Sequence, residues 1–166
     1  MIDVSPYQRC ECLRMDNQYP VCQSELSLEE KGKKVTLSLG RGEEAKAMVM
    51  DGCVLTDNHT KCDALYLFKG HGKKVAALVE LKGAGDIAYA FEQLAYTRKN
   101  RVEYQHFKQN LEQSGPGQLK EMAFIVTNGM LSKPAREKLE SQHGIRVNEV
   151  LESEATRKVP DLREYF

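Results

Sequence analysis

The run Val75, Ala76, Ala77, Leu78, Val79, closed by Glu80-Leu81-Lys82, constrains the fold more than any other stretch. Unbroken apolar residues bounded by turn signals describe a strand covered on both faces, hence one in the middle of a sheet. "CDALYLF" (62–68) precedes it with strong strand propensity, and the short link "KGHGKK" (69–74) predicts an antiparallel hairpin. Strand residues two apart share a face at a spacing of about 7 Å, so Glu80 and Lys82 point the same way and Leu81 the other. In such a hairpin the start of the first strand lies beside the end of the second, which lets Asp63 meet Glu80. A sheet needs neither an acid nor an amine there, and burying either without a partner is costly.

The remaining elements follow by period and punctuation. "SELSLEEKG" (24–32) reads as a short helix with Ser24 or Ser27 as N-cap and Gly32 at its end. "KVTLSL" (34–39) alternates like a strand, and "EEAKAMVMDGCVL" (43–55) is helical in composition first and β-like later. Gly83 and Gly85 end the apolar strand, and Asp86 is the expected N-cap of a helix with the stripe Ile87, Phe91, Leu94, Arg98. That helix runs past Thr97 and continues, or restarts after Asn100, through Leu111. "SGPGQ" (114–118) is a loop and "EMAFIVTNG" (121–129) a buried strand. "SKPAREKLESQHG" (132–144) is a helix from Ser132 to Gly144, "IRVNEVLES" (145–153) a strand, and the tail "EATRKVPDLREYF" surface. The expectation is one α/β (α+β) domain over residues 1–166: a mixed sheet of four or more strands flanked by helices. Residues 1–33 form an N-terminal extension with little pattern.

Charge and cysteine usage bound the function classes. Net charge is zero, so overall charge does not announce a nucleic-acid partner. Two local runs do carry excess cations: Lys69, Lys73 and Lys74, and Arg98, Lys99, Arg101 and Lys108 against Glu103. Such runs are solvated surface by default, or a phosphate-facing rim where a site lies nearby. No stretch reaches the roughly eighteen apolar residues of a membrane span, and the first twenty residues lack a signal-peptide core. A cytoplasmic protein without membrane partners is expected. Five cysteines, an odd count, suggest reduced thiols. Cys10, Cys12 and Cys22 offer three zinc donors where a structural site wants four, and His59 does not supply the fourth. Cys53 and Cys62 read as small apolar residues. His71 belongs to a turn, and His106 and His143 to the surface. Tyr89, Tyr96 and Tyr104 fall at helical spacing as core or rim, with the capacity to stack on bases.

Two carboxylates brought together repel unless a cation sits between them. Hard oxygen donors in an incomplete shell suit Mg²⁺ or Mn²⁺. A cation held by Asp63 and Glu80 would lower the pKa of a bound water and neutralise charge on a phosphodiester, and Lys82 would orient that water or stabilise the transition state. Gln93, one and a half to two turns into the following helix, would reach the water, the phosphate or Asp63.

The Asp of "CD" (62–63), the strand end "VELKG" (79–83) and the helix carrying "EQL" (92–94) together resemble the PD-(D/E)XK nuclease superfamily. The likeness covers residues 51–97 and extends to small bacterial and phage proteins of that group. It implies a restriction-endonuclease-like core. Asp63 and Glu80 would be metal ligands with the Leu81 backbone carbonyl, Lys82 the catalytic lysine and Gln93 an auxiliary residue. An additional acid would come from Glu43, Glu44 or Asp51, with Asp51 favoured because it stands closest to the matching block. Cys62 replaces the usual proline, and Tyr96 falls one residue short of the usual tyrosine, leaving Thr97 there. The implied activity is metal-dependent endonuclease hydrolysis of nucleic acid, DNA before RNA; a neutral chain this small has little surface for a long duplex, which suggests a homodimer or larger complex. The alternatives are an inactive nuclease-fold module that binds nucleic acid or a partner, and a structural subunit in which the three residues lie apart.

Overall fold

The apolar run at 75–79 ends where its chemistry requires, in the middle of a sheet. The computed structural model describes residues 1–166. It contains strands β1 (Ser27–Glu30), β2 (Lys33–Thr36), β3 (Glu44–Val49), β4 (Ala64–Gly70), β5 (Lys73–Lys82), β6 (Gln118–Thr127) and β7 (Glu149–Glu152). Its helices are α1 (Ile87–Asn100), α2 (Val102–Glu112) and α3 (Lys133–His143). Five strands form one mixed sheet in the order β3-β4-β5-β6-β7, antiparallel across β3, β4 and β5 and parallel from β5 to β7. Strand β5 is the middle one, and every residue from Lys74 to Leu81 is buried. The class is α+β.

The two faces divide the labour. One carries Tyr66, Phe68 and Phe124: the Tyr66 hydroxyl donates to the Leu26 carbonyl at 3.0 Å, and Phe166 meets Phe68 at 5.2 Å between ring centroids. The other carries Glu80, Lys82 and Glu121 and is covered by α1 and α2, where Tyr104 donates to Glu121 at 2.7 Å. A break at Arg101, in extended conformation, separates α1 from α2. Helix α3 keeps the punctuation expected of it: the Ser132 side chain accepts from the Ala135 amide, and Gly144 closes it with φ 64°. Asp86 stands at the N-cap of α1 as expected, at the end of a short 3-10 turn (Ala84–Asp86), but its side chain caps nothing.

Three expectations are corrected. Residues 24–32 are not a helix: β1 and β2 pair as an antiparallel hairpin whose turn places Lys31 and Gly32 at positive φ. The alternation Leu26, Leu28, Val35, Leu37, all buried, outweighs the helix cues of Ser24, Ser27 and the glutamates. The tail is surface only over residues 154–158; its remainder is packed. Leu162 is fully buried, Phe166 packs on Phe68 and Phe124, and Arg163 holds Glu43 at 3.0 Å. The cysteines are not all free thiols either. Cys10 pairs with Cys53 and Cys12 with Cys22, leaving Cys62 as a buried thiol. Cys53 is therefore a cross-link and not an apolar filler. No helix is long and apolar enough to cross a membrane.

Candidate active site

The β4–β5 register sets the geometry. Ala64 lies opposite Val79, so the next pair outward is Asp63 and Glu80. The Asp63 amide donates to Glu80 Oε2 at 3.2 Å, and the Leu81 amide donates to Asp63 Oδ2 at 2.8 Å. In an extended strand a residue's N–H and C=O face the same neighbour, which turns the Leu81 carbonyl to that edge as well. Glu80 is only 1 % exposed, and its Oε1 has no hydrogen-bond partner. The Lys82 ammonium stands 3.9 Å from that oxygen and 5.0 Å from the centroid of the Tyr89 ring. The acid, its opposite acid and the amine are thus brought together.

Helix α1 fixes the chain just ahead of Asp63. Gln93 donates from Nε2 to the Lys61 carbonyl at 3.0 Å, so its amide nitrogen is engaged with the backbone and not with the Asp63 carboxylate. Its Oε1 is buried without a partner. Thr97 accepts from the Cys62 amide at 3.0 Å and donates to the Gln93 carbonyl at 2.8 Å. Arg101 completes the brace with a two-pronged contact to Asp57 and bonds to the His59 and Thr60 carbonyls. Its guanidinium holds the Asp57 carboxyl well below the usual range.

Electrostatics reflect the crowding of acids. Burial first, then the facing Asp63 carboxylate, push Glu80 well above the ordinary glutamate range, against a smaller pull from Lys82. Asp51 is raised chiefly by burial, which Lys61 opposes and Asp63 reinforces. Lys61 Nζ lies 4.0 Å from Asp51. Glu30, at the tip of β1, is also raised, by burial first and Asp63 second. Asp51 and Glu30 line one cleft of about 430 Å³ with Tyr19, Val21 and Val49. Of the competing acids, Asp51 is the one near enough to feel the Asp63 and Lys82 charges, although none of Asp63, Glu80 and Lys82 lines that cleft. Glu43 is bound to Arg163 and Glu44 to the Ile2 amide. Glu30 is hidden from sequence reasoning because its segment reads as a helix; the period-two pattern on either side of Lys31-Gly32 is the available signal. Thr97 carries no signal of its own.

The cations of the basic runs are mostly engaged within the fold. Lys74 is buried and bonded to the carbonyls of Glu112 and Gly115. Lys69 donates to the Ser114 carbonyl, Lys99 to the His143 carbonyl, and Arg98 and Lys108 pair with Glu121. Only Lys73 among the first run is left exposed and unpaired, and it begins the strand that Lys82 ends. At about 3.3 Å per residue, those two lie roughly 30 Å apart. Apart from Lys73, these cations have partners within the fold.

As a place for a cation, the site offers two carboxylates and a carbonyl edge, hard oxygens in an incomplete shell. No three His, Cys, Asp or Glu side chains are grouped as a ready-made metal site. The donor set fits a weakly held divalent ion that keeps several waters, and the orphaned Glu80 Oε1 is the atom most in need of it. Cys10, Cys12 and Cys22 cannot hold zinc while two of them are bonded to each other and the first to Cys53. Comparison with protein-family models, with characterised proteins and with solved structures finds no match for the chain.

Proposed function

We propose that the chain is a divalent-metal-dependent nuclease of the PD-(D/E)XK kind, hydrolysing phosphodiester bonds in DNA. The observation that carries this reading is the Asp63–Glu80 pair at the open end of β4 and β5, with an unpartnered buried oxygen 3.9 Å from the Lys82 ammonium. Asp63, Glu80 and the Leu81 carbonyl would hold Mg²⁺ or Mn²⁺, which supplies Lewis acidity toward a phosphoryl oxygen and a more acidic bound water. Lys82 donates hydrogen bonds to the attacking water or to the charge developing on phosphorus-bound oxygen. Gln93 and Thr97 keep Asp63 in register by gripping the two residues before it.

Purified protein with Mn²⁺ should cleave DNA offered as single-stranded, duplex and branched forms. Lys82→Ala should lower the rate about 100-fold or more while leaving the circular dichroism and thermal midpoint unchanged. Absence of cleavage of all three forms, or full activity in Lys82→Ala, would sink the proposal. A binding module without turnover is the second reading, and the near-complete burial of Glu80, 1 % exposed, favours it. It requires salt-dependent DNA binding that survives Glu80→Gln with no cleavage by the unaltered protein.

A further inference from the structure

Resting on the hydrolytic reading above, we infer that Tyr89 stacks on an unpaired base at the mouth of the site, so that the substrate is single-stranded DNA and not a duplex. Of the three helical tyrosines, Tyr104 is buried and bonded to Glu121, and Tyr96 lies 5.8 Å from the Arg101 guanidinium. Tyr89 alone is a large exposed aromatic, with 47 % of its surface open. It is also the outermost member of a line of contacts that begins at the site: Glu80 to Lys82 at 3.9 Å, then Lys82 to the Tyr89 ring at 5.0 Å. A nucleotide whose phosphate meets Lys82 has its base within reach of that ring.

The surrounding charge argues against a duplex. Duplex binding depends on cations that neutralise phosphates along a track. The two basic runs form no such track: their cations are spent on carbonyls and on Asp57 and Glu121, and the free Lys73 is at the far end of β5. Close enough to feel the Asp63 and Lys82 charges stand the acids Glu30 and Asp51, with Lys31 and Lys61 as the cations among them, and Asp86 and Glu92 flank Tyr89 on exposed positions, so acids outnumber cations there. A second phosphate backbone would meet like charge there. An aromatic face suits an unpaired base of any sequence, whereas the bases of a duplex offer their faces only to each other.

The test is fluorescence anisotropy in Ca²⁺ with a short labelled strand, alone and annealed to its complement, for the unaltered protein, Tyr89→Phe and Tyr89→Leu. Mn²⁺-dependent cleavage of both forms is read in parallel, and circular dichroism monitors the fold. The strand should bind about tenfold more tightly than the duplex. Tyr89→Leu should lose about fivefold or more of the strand affinity, the lower range of a base stack, and Tyr89→Phe should keep it. Equal binding of duplex and strand, or unchanged strand affinity in Tyr89→Leu, overturns the stack while Mn²⁺ cleavage, if seen, leaves the nuclease reading intact. Strand binding that needs Tyr89 without any cleavage supports the stack and overturns the nuclease reading.

Discussion

Glu80 is a side chain in conflict with its surroundings. Its carboxylate is buried, faces another acid and has one oxygen unanswered. Because its pKa is raised in the folded chain, the folded state holds that proton more tightly than the unfolded state does. The resulting stabilisation is complete at low pH and is lost as pH climbs from the ordinary glutamate value toward the raised one. Between those two values the loss runs at about 1.4 kcal/mol for each step of one in pH. Glu80→Gln removes the titration without removing the shape. In chelator, this variant should melt at a higher temperature than the unaltered protein near about pH 8, with the gap closing toward about pH 5. Mg²⁺ or Mn²⁺ should raise the melting temperature of the unaltered protein and leave Glu80→Gln unmoved. A variant less stable than its parent at alkaline pH would contradict the assigned strain.

At the scale of elements, the site depends on how α1 seizes the chain before β4. Thr97 is fully buried and takes the Cys62 amide. Thr97→Val keeps the bulk but strands that amide, which should cost about 1–3 kcal/mol in denaturant unfolding, and Thr97→Ser should recover most of it. The hairpin behind Asp63 is legible in the sequence because apolar continuity, a Gly-rich link and strand propensity all point the same way, and register then brings Asp63 to Glu80. The β1–β2 hairpin is far less so: Ser24 and Ser27 look like caps, and Glu25, Glu29 and Glu30 look like helix formers, so the short period-two pattern around Lys31-Gly32 is outvoted until tertiary burial of Leu28 and Val35 decides. Gln93 stands out by its place in the helix after Lys82, yet its partner, a backbone carbonyl 32 positions away, has no signature in a linear pattern. The basic runs mislead for a related reason. A lysine contributing to a surface and a lysine tying off a loop carbonyl are the same letter.

Across the whole molecule, both termini are structural. Ile2, Val4, Cys10 and Cys12 join the same hydrophobic cluster as Leu162 and the β5 run. Cys10–Cys53 ties the N-terminal segment to the connection that carries Asp51, over a separation of 43 residues. Loop-closure arithmetic assigns such a link about 4 kcal/mol, and about 3 kcal/mol to Cys12–Cys22. Reduction should therefore lower the thermal midpoint clearly, and alkylation of the unreduced, denatured protein followed by mass spectrometry should modify Cys62 alone. An unchanged midpoint in reductant would mean that packing alone fastens the N-terminal segment. The two borders of the sheet are unlike. The outer side of β3 is occupied, through the Glu11–Met48 bridge and the bond from Cys12 to Ala47, whereas β7 has a strand on one side only. A ladder that can grow at a single border can be doubled but not polymerised. Any self-association by strand addition stops at a pair, and an antiparallel pair centred on Val150 and Leu151 would set Glu149 against Glu152 of the second copy.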